Sequence, residues 1–401
     1  MNEKINMNFE KLSITTILYS ISLLFIFTNN HNALMIADYY QLFVLTIIVT
    51  LLSMTIRKNQ ILLNNSHLII LIFLMNFMIV NLLTPLKVDR GYFLSYLLYI
   101  CLYLVMTLQN YNAKDIYNLI SAYTHSALIM ALMVILIRHN YYAGDFSYRY
   151  TVKFRGNETI DPNYLAAYIV IPALFAFKRW LMPVKKNKKI YYAFITIIIS
   201  FSILLTGSRA ALISLSIGAT IMLYYYLFKY KRVTVNTLIK IFVIILISVG
   251  LLLIAINMLP QAVMSRLFES SYNDGSNQLR ISHWIAAMDS IGEKPILGYG
   301  ALETKNILLY SIHHYGDVHS TILSFWLQTG LVGLLCIILL YIRIWIALKK
   351  SIILKGILLS HIFTSLIISS QLTIGLWTLL ILLEMIIHVN KRENIDFIDL
   401  L

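Results

Sequence analysis

The sequence predicts an all-α polytopic membrane protein, and three observations carry that prediction. Of the 401 residues, 59% are hydrophobic and only 12% charged, whereas a soluble globular chain carries about 25% charged residues. A mean hydropathy of +0.76 leaves too little polar surface to cover a water-soluble core. Apolar runs of the length a bilayer demands, about 20 residues of helix for a core of roughly 30 Å, recur along the whole chain. The short basic segments between those runs all fall on one side when the runs are counted as alternating spans.

Taken in order, about twelve spans are expected, near 11–28, 36–56, 64–83, 91–109, 116–137, 163–180, 190–206, 210–228, 238–258, 320–347, 352–370 and 372–389. The first has lysines before it and no small-residue cleavage site after it, so it reads as a retained span rather than a signal peptide. With the N-terminus in the cytoplasm, the inside loops collect Arg57-Lys58, Lys114, the run from Lys178 to Lys189, Lys229 to Arg232, Lys349-Lys350 and Lys391-Arg392. This arrangement places both termini on the cytoplasmic side of the cytoplasmic membrane and the long loops, with the active site, on its outer face. It also accounts for much of the net charge of +14, so no nucleic-acid partner is needed. The two cysteines, Cys101 and Cys336, fall inside apolar runs and read as small core residues. The whole chain, 1–401, is expected to be one integral membrane domain.

Two external segments, 138–162 and 259–318, are too long to be simple turns; loops of this kind are functional or disordered. The second contains NQLRISHWIAAMDSIGEKP, where Ile281, Trp284, Ile285, Met288 and Ile291 recur at helical spacing. An amphipathic helix between spans nine and ten, lying on the outer membrane surface, is the expectation. Arg280, His283, Ala287 and Ser290 form its other stripe, and Glu293-Lys294 before Pro295 end it.

The residues able to carry chemistry gather on that outer side. Arg209 stands behind Gly207-Ser208 at the start of span eight, where the orientation rule calls for no cation. Gly207 permits a tight turn, Ser208 is placed to cap the helix, and a helix N-terminus beside an arginine is suited to an anion. Arg138, Arg149, Lys153, Arg155, Arg266, Arg280, Lys294 and Lys305 add external cations. Singly each reads as a solvated charge; together they suggest an outward cavity for an anion, with Arg280 the best placed. His313, His314 and His319 precede span ten. Neutral imidazole accepts a proton near pH 7, and His319 stands where the span begins, with Asp317 two residues earlier. The histidine spacing matches no strong zinc pattern, so no metal and no cofactor is expected. Asp161-Pro162 reads as a helix start, leaving Asn163 to bond a sugar or the loop backbone. Gly330 and Gly333 read as small residues for close helix packing. His125, His361, Asp38 and Glu384 read as inter-helix hydrogen-bond partners.

Together, TGSRAAL (206–212), Arg280 with Trp284, KPILGYG (294–300), His319-Ser320 and GLVG (330–333), in this order and topology, resemble the O-antigen ligase and O-antigen polymerase superfamily. The Asp161-Pro162-Asn163 triplet resembles a further element, and the likeness runs roughly from Arg155 to Leu335. It implies a multi-spanning glycosyltransferase using polyprenyl-diphosphate-linked oligosaccharides, with the lipid bilayer, a flippase and a chain-length regulator as partners. Arg209 and Arg280 would contact the donor diphosphate, and His319 would accept a proton or orient the substrate. Gly298 and Gly300 would shape the loop end. Arg155, Asn163, Ser208, His283 and His314 complete the candidate substrate-binding set. Ser320 stands where the family commonly has Asn.

A polymerase is the expectation, since the chain is compact and shows no acceptor-docking domain. A ligase with a lipid or protein acceptor is the alternative. A flippase or secondary transporter is the reading from another class; transport would not require the long external loop, and no matched pair of broken helices is evident.

Overall fold

The computed structural model describes residues 12–25, 39–57, 62–137, 139–142, 148–152, 160–182, 186–230, 263–264, 267, 275–349 and 351–393. The expected ninth span, 238–258, lies outside these residues, as do Asp38, Arg138, Lys153, Arg155 and Arg266. The described chain is helical: α1 (Ile14–Phe25), α2 (Tyr39–Arg57), α3 (Asn65–Leu83), α4 (Arg90–Thr107), α5 (Ala113–Leu136), α6 (Pro162–Leu181), α7 (Lys186–Leu205), α8 (Arg209–Tyr225), α9 (Gly275–Glu293), α10 (Thr304–Ile312), α11 (Thr321–Ala347), α12 (Ile352–Ile367) and α13 (Ile374–Glu393). Eight of these are long and apolar enough to cross a membrane, and α1, α2 and α12 are shorter apolar helices. The eleven correspond to the expected spans apart from the ninth. The protein is an all-α multi-pass membrane protein.

One element was not expected. Within the first long external segment, β1 (His139–Tyr142) and β2 (Tyr148–Thr151) pair antiparallel, His139 opposite Thr151 and Tyr142 opposite Tyr148. The strands are tyrosine-rich, a residue that suits a pleated, half-buried surface, but each is too short to show a period.

The chain divides into two compact units: 1–126 with 278–351 and 365–401, and 127–277 with 352–364. In the first unit, α13 is the central helix. Its apolar window is 83% buried, against 33% for α3. Trp377 of α13 is fully buried and stacks on Tyr99 at 6.2 Å, with Tyr103 edge-on at 6.4 Å. Phe77, Tyr96 and Phe325 join α3, α4 and α11. A polar knot ties α3, α11 and α13. Buried Glu384 receives hydrogen bonds from Arg343, from Asn64 Nδ2 at 2.7 Å and from Ser66 Oγ at 3.1 Å, and pairs with His388 at 3.1 Å. Asn64 also caps α3 through Ser66 and His67 N–H. A carboxylate within a span is tolerated when it is bonded on every side, as the expectation of an inter-helix role for Glu384 requires.

In the second unit, α6 is the buried centre and packs on α7 and α8. Gly218 of α8 lies so close to Leu174 of α6 that a Cβ there would sit 2.5 Å from a leucine methyl. Ser214 of α8 bonds Ser360 at 2.9 Å and Thr364 at 2.6 Å, fastening α8 to α12. Lys178 and Arg179 fall in the last turn of α6, where cations complement the helix dipole. Arg179 also donates to the Tyr192 hydroxyl at 2.9 Å.

Candidate functional site

In the second unit the site begins at the α7–α8 turn. Gly207 adopts φ 63°, which lets the chain reverse in the two residues between α7 and the helix cap. Ser208 stands at the cap position of α8, as expected. Its hydroxyl, however, makes no capping bond, and it is buried without any hydrogen-bond partner. The first-turn N–H groups of α8 lack intrahelical acceptors and receive none from Ser208. Arg209, half-buried, is the first residue of the helix. This leaves an N-terminus, a guanidinium and an unbonded hydroxyl together, the donor set an anion requires.

Asn163 belongs to the same end of this unit. The short connections between α6, α7 and α8 make neighbours antiparallel, so the first residues of α6 and α8 share one end. Asp161 caps α6 by accepting from Asn163 N–H at 2.7 Å, Pro162 occupies the first turn, and the Asn163 side chain is buried. The hairpin is pinned to this entrance by Ile160 N–H donating to Val152 O at 3.2 Å and by Thr151 Oγ1 donating to Ile160 O at 2.6 Å. Arg149 on β2 is only 5% exposed. It is therefore no solvated charge, which corrects the expectation for it.

In the first unit, α9 spans Gly275–Glu293 and ends at Glu293 as expected. Its two faces differ in burial. Ala287, Ser290 and Ile291 are buried, while Ile281, Ile285 and Met288 are exposed. Ile281, Ile285 and Met288 thus keep an apolar face open, as a helix on the membrane surface requires, while Ile291 and Trp284 pack into the protein. Ala287, Ile291, Ile307, Leu308, Val318 and Leu327 form that core, with Trp284 packed against it. From the other stripe, His283 meets His314, Ser290 Oγ bonds Ser311 Oγ at 2.7 Å, and Ala287 joins the core.

Three ties hold α9 to that segment. Trp284 Nε1 donates to Val318 O at 2.8 Å. His283 Nδ1 and His314 Nε2 are 2.8 Å apart, with the rings edge-to-face at 5.0 Å. The His283 ring also lies against the backbone at Gly316, where a Cβ would sit 2.0 Å from Cε1. Burial, and then the neighbouring His314 and His319, hold His283 below the ordinary histidine range, with Asp317 opposing. His313 ends α10 in the left-handed region (φ 54°), and His319 also has a positive φ of 46°. Ser320 caps α11 by accepting from Leu323 N–H at 3.5 Å. Asp317 accepts from Thr304 Oγ1 at 3.3 Å. The structure therefore brings His283, His314, Asp317 and His319 into one neighbourhood, one turn along α9 from Arg280.

Gly298 and Gly300 serve a backbone junction. Within α11, Gly330 is non-helical (φ 67°, ψ −173°) and breaks the helix, so it is more than the packing residue the sequence suggested. The break orphans backbone groups that would otherwise bond along the helix. Leu327 O accepts from Tyr299 N–H at 2.8 Å, Gln328 O from Gly300 N–H at 3.0 Å and Thr329 O from Asn76 Nδ2 at 2.8 Å. Leu331 N–H donates to Pro295 O at 2.9 Å. Irregular backbone within a span survives when protein satisfies it in this way. Gly298, at φ 70°, has room only for hydrogen, with Gly330 N 2.6 Å from an added Cβ. The KPILGYG segment is thus seated on the break in α11. Tyr299, whose hydroxyl burial and Glu293 push up to about 12, stays protonated and donates to Ser290 O at 3.0 Å and Glu293 at 2.9 Å. Beside the junction, Val80, Leu83, Pro85, Lys294 and Ile296 line an open cleft of about 330 Å³. Among the described residues no group of three or more His, Cys, Asp or Glu is placed to hold a metal ion.

Residues 194–338 match the model of the O-antigen ligase family. The chain is similar to the O-antigen ligase and polymerase superfamily over this segment, which runs from within α7 to within α11 and holds Ser208, Arg209, Arg280, His283, Gly298, Gly300, His314 and His319. Members of that family are glycosyltransferase-like membrane enzymes. Comparison with curated proteins gives no match.

Proposed function

We propose that the protein is a polysaccharide polymerase that joins polyprenyl-diphosphate-linked oligosaccharide repeat units on the outer face of the cytoplasmic membrane, building an O-antigen, capsule or exopolysaccharide. The observation that carries this reading is the family match over the one segment that holds Arg209, Arg280 and His319. In the reaction, the bond between the sugar C1 and the diphosphate oxygen breaks, and its electron pair leaves with the lipid diphosphate. The acceptor hydroxyl oxygen bonds to C1, and its proton passes to a histidine of the 313–319 segment, at His319 by the family resemblance. Arg209, with the α8 N-terminus and the Ser208 hydroxyl, takes up phosphate charge in the second unit; Arg280 takes up phosphate charge in the first. Guanidinium groups stabilise the charge growing on the leaving group in place of a divalent ion, and the sequence holds no Asp-x-Asp cluster to bind one. The transfer is therefore metal-independent.

A ligase differs only in its acceptor, and the family match supports it equally. Deleting the gene and resolving surface glycans on a gel separates the readings. Collapse to a single repeat unit supports the polymerase; intact lipid-linked polymer that never reaches its acceptor supports the ligase; single units retained on the cytoplasmic leaflet support a flippase. In the polymerase reading, Arg209→Ala, Arg280→Ala and His319→Ala each abolish polymer while the protein still inserts. Wild-type glycan from all three variants would end it.

A further inference from the structure

We infer that the cleft beside the KPILGYG segment binds an amine-bearing phospholipid of the bilayer, with the phosphodiester on Lys294, the primary ammonium on Glu293 and an acyl chain in the cleft. The inference is independent of the glycosyl-transfer reading and needs only the membrane-spanning fold. The cleft, about 330 Å³, is walled by Val80, Leu83 and Pro85 at the end of α3 and by Pro295, Ile296 and Leu297. These walls continue into lipid-facing surface. Leu82, Leu83, Ile296 and Leu297 are exposed, and the apolar window of α3 is only 33% buried. Trp326 marks the level of the site. Its Nε1 donates to Pro295 O at 3.0 Å, and tryptophan gathers at the membrane–water interface. A hydrocarbon chain therefore enters the cleft from the bilayer while its headgroup stays at the mouth.

The charges at the mouth choose the headgroup. Exposed Glu293 and half-buried Lys294 both line the cleft, yet they do not pair with each other. Tyr299 holds each one separately. Its hydroxyl donates to Glu293 Oε2 at 2.9 Å, and Lys294 Nζ lies over its ring, 4.8 Å from the centroid. Among the described residues neither charge forms an ion pair. The ring is itself fixed, since the same hydroxyl donates to Ser290 O. A headgroup carrying both a phosphate and a primary ammonium answers both charges with charge-assisted hydrogen bonds. A phosphoglycerol headgroup answers Lys294 alone and brings its negative charge up to Glu293. A quaternary ammonium has no N–H to donate to the carboxylate. A diphosphate would set its larger charge against one point cation and a carboxylate, without the bidentate fork of a guanidinium. The bound chain also packs the open side of Pro295–Gly298, whose other side is bonded to the break in α11. A ligand that binds only the folded protein raises its stability, so the lipid reinforces that junction.

The test uses the full-length protein, purified and delipidated in detergent. Binding of phosphatidylethanolamine, phosphatidylglycerol, phosphatidylcholine and polyprenyl phosphate is read by native mass spectrometry, alongside thermal unfolding. Wild type is expected to bind phosphatidylethanolamine about tenfold more tightly than the other two phospholipids, the gain from one added hydrogen bond to a charged group, and to melt higher in its presence. Glu293→Gln still accepts from Tyr299 and is expected to bind phosphatidylethanolamine no better than phosphatidylglycerol. Lys294→Gln is expected to weaken both by about tenfold. Leu83→Trp fills the cleft without touching either charge; it is expected to melt like wild type without lipid and to lose the rise with phosphatidylethanolamine. Equal binding of the three phospholipids by wild type, a preference that survives Glu293→Gln, or undiminished binding in Leu83→Trp overturns the inference. So does polyprenyl phosphate displacing phosphatidylethanolamine at equal concentration, which would give the cleft to the prenyl lipid.

Discussion

Gly330→Ala tests how the KPILGYG segment is held. An added Cβ would lie 1.9 Å from Ile296 O and 2.5 Å from Ile296 C. Both are backbone atoms that no side-chain rotation can clear. The glycine also occupies a region (φ 67°, ψ −173°) that is essentially closed to other residues and costs about 1–3 kcal/mol. Relieving the clash by lifting the segment away sacrifices three backbone bonds: Tyr299 to Leu327, Gly300 to Gln328 and Leu331 to Pro295. Each is worth about 1 kcal/mol net, which brings the total to about 4–6 kcal/mol. Gly292→Ala is the control, since a Cβ there meets nothing within 4 Å and alanine favours helix by up to about 1 kcal/mol. Thermal unfolding of the detergent-solubilised protein is the assay. Gly330→Ala should melt well below wild type and lose polymer synthesis, and Gly292→Ala should melt at or above it. A Gly330→Ala protein that melts and works like wild type refutes the account of the junction.

Three further outcomes follow from the geometry. Glu384→Leu strands Arg343 in the buried knot and should cost about 3–5 kcal/mol; adding Arg343→Met should recover part of that loss in the same melting assay. Ser208→Ala removes a hydroxyl that bonds nothing in the protein, so melting should be unchanged while KM for the lipid-linked donor rises; a drop in melting temperature would show a structural role instead. His283 lies below its ordinary range, so the unfolded chain takes up that proton first, near pH 6.5. Its contribution to stability is therefore present above that pH and lost as pH falls below it. Melting midpoints compared at about pH 7.5 and about pH 5.5 should fall at the lower value, and His283→Asn should lessen the fall.

The spans were legible because a helix in lipid needs a long apolar run, and that signal survives without knowledge of any contact. The start of α6 at Asp161-Pro162 and the end of α9 at Glu293 were legible from local capping and stop signals. The protein-facing side of α9 was not, because it is built largely from Ala286, Ala287 and Ser290, which carry little apolar signal. Nor was the break at Gly330. GLVG reads as helix packing until Pro295, Tyr299 and Gly300 arrive from elsewhere in the chain to satisfy the freed backbone. Sequence placed His283 and His314 among the candidates but could not pair them, since the pairing depends on α9 folding back over Gly316. Arg149 reads in the sequence as one more external cation, because its burial comes from a hairpin too short to show a period.

The most direct test of the central claim is reconstitution. Purified protein in vesicles, given polyprenyl-diphosphate-linked repeat units and a chelator of divalent ions, should release polyprenyl diphosphate and produce a ladder of lengthening glycan, with neither seen for Arg209→Ala. Donor left intact by the wild-type protein, or a ladder that forms equally with Arg209→Ala, would contradict it.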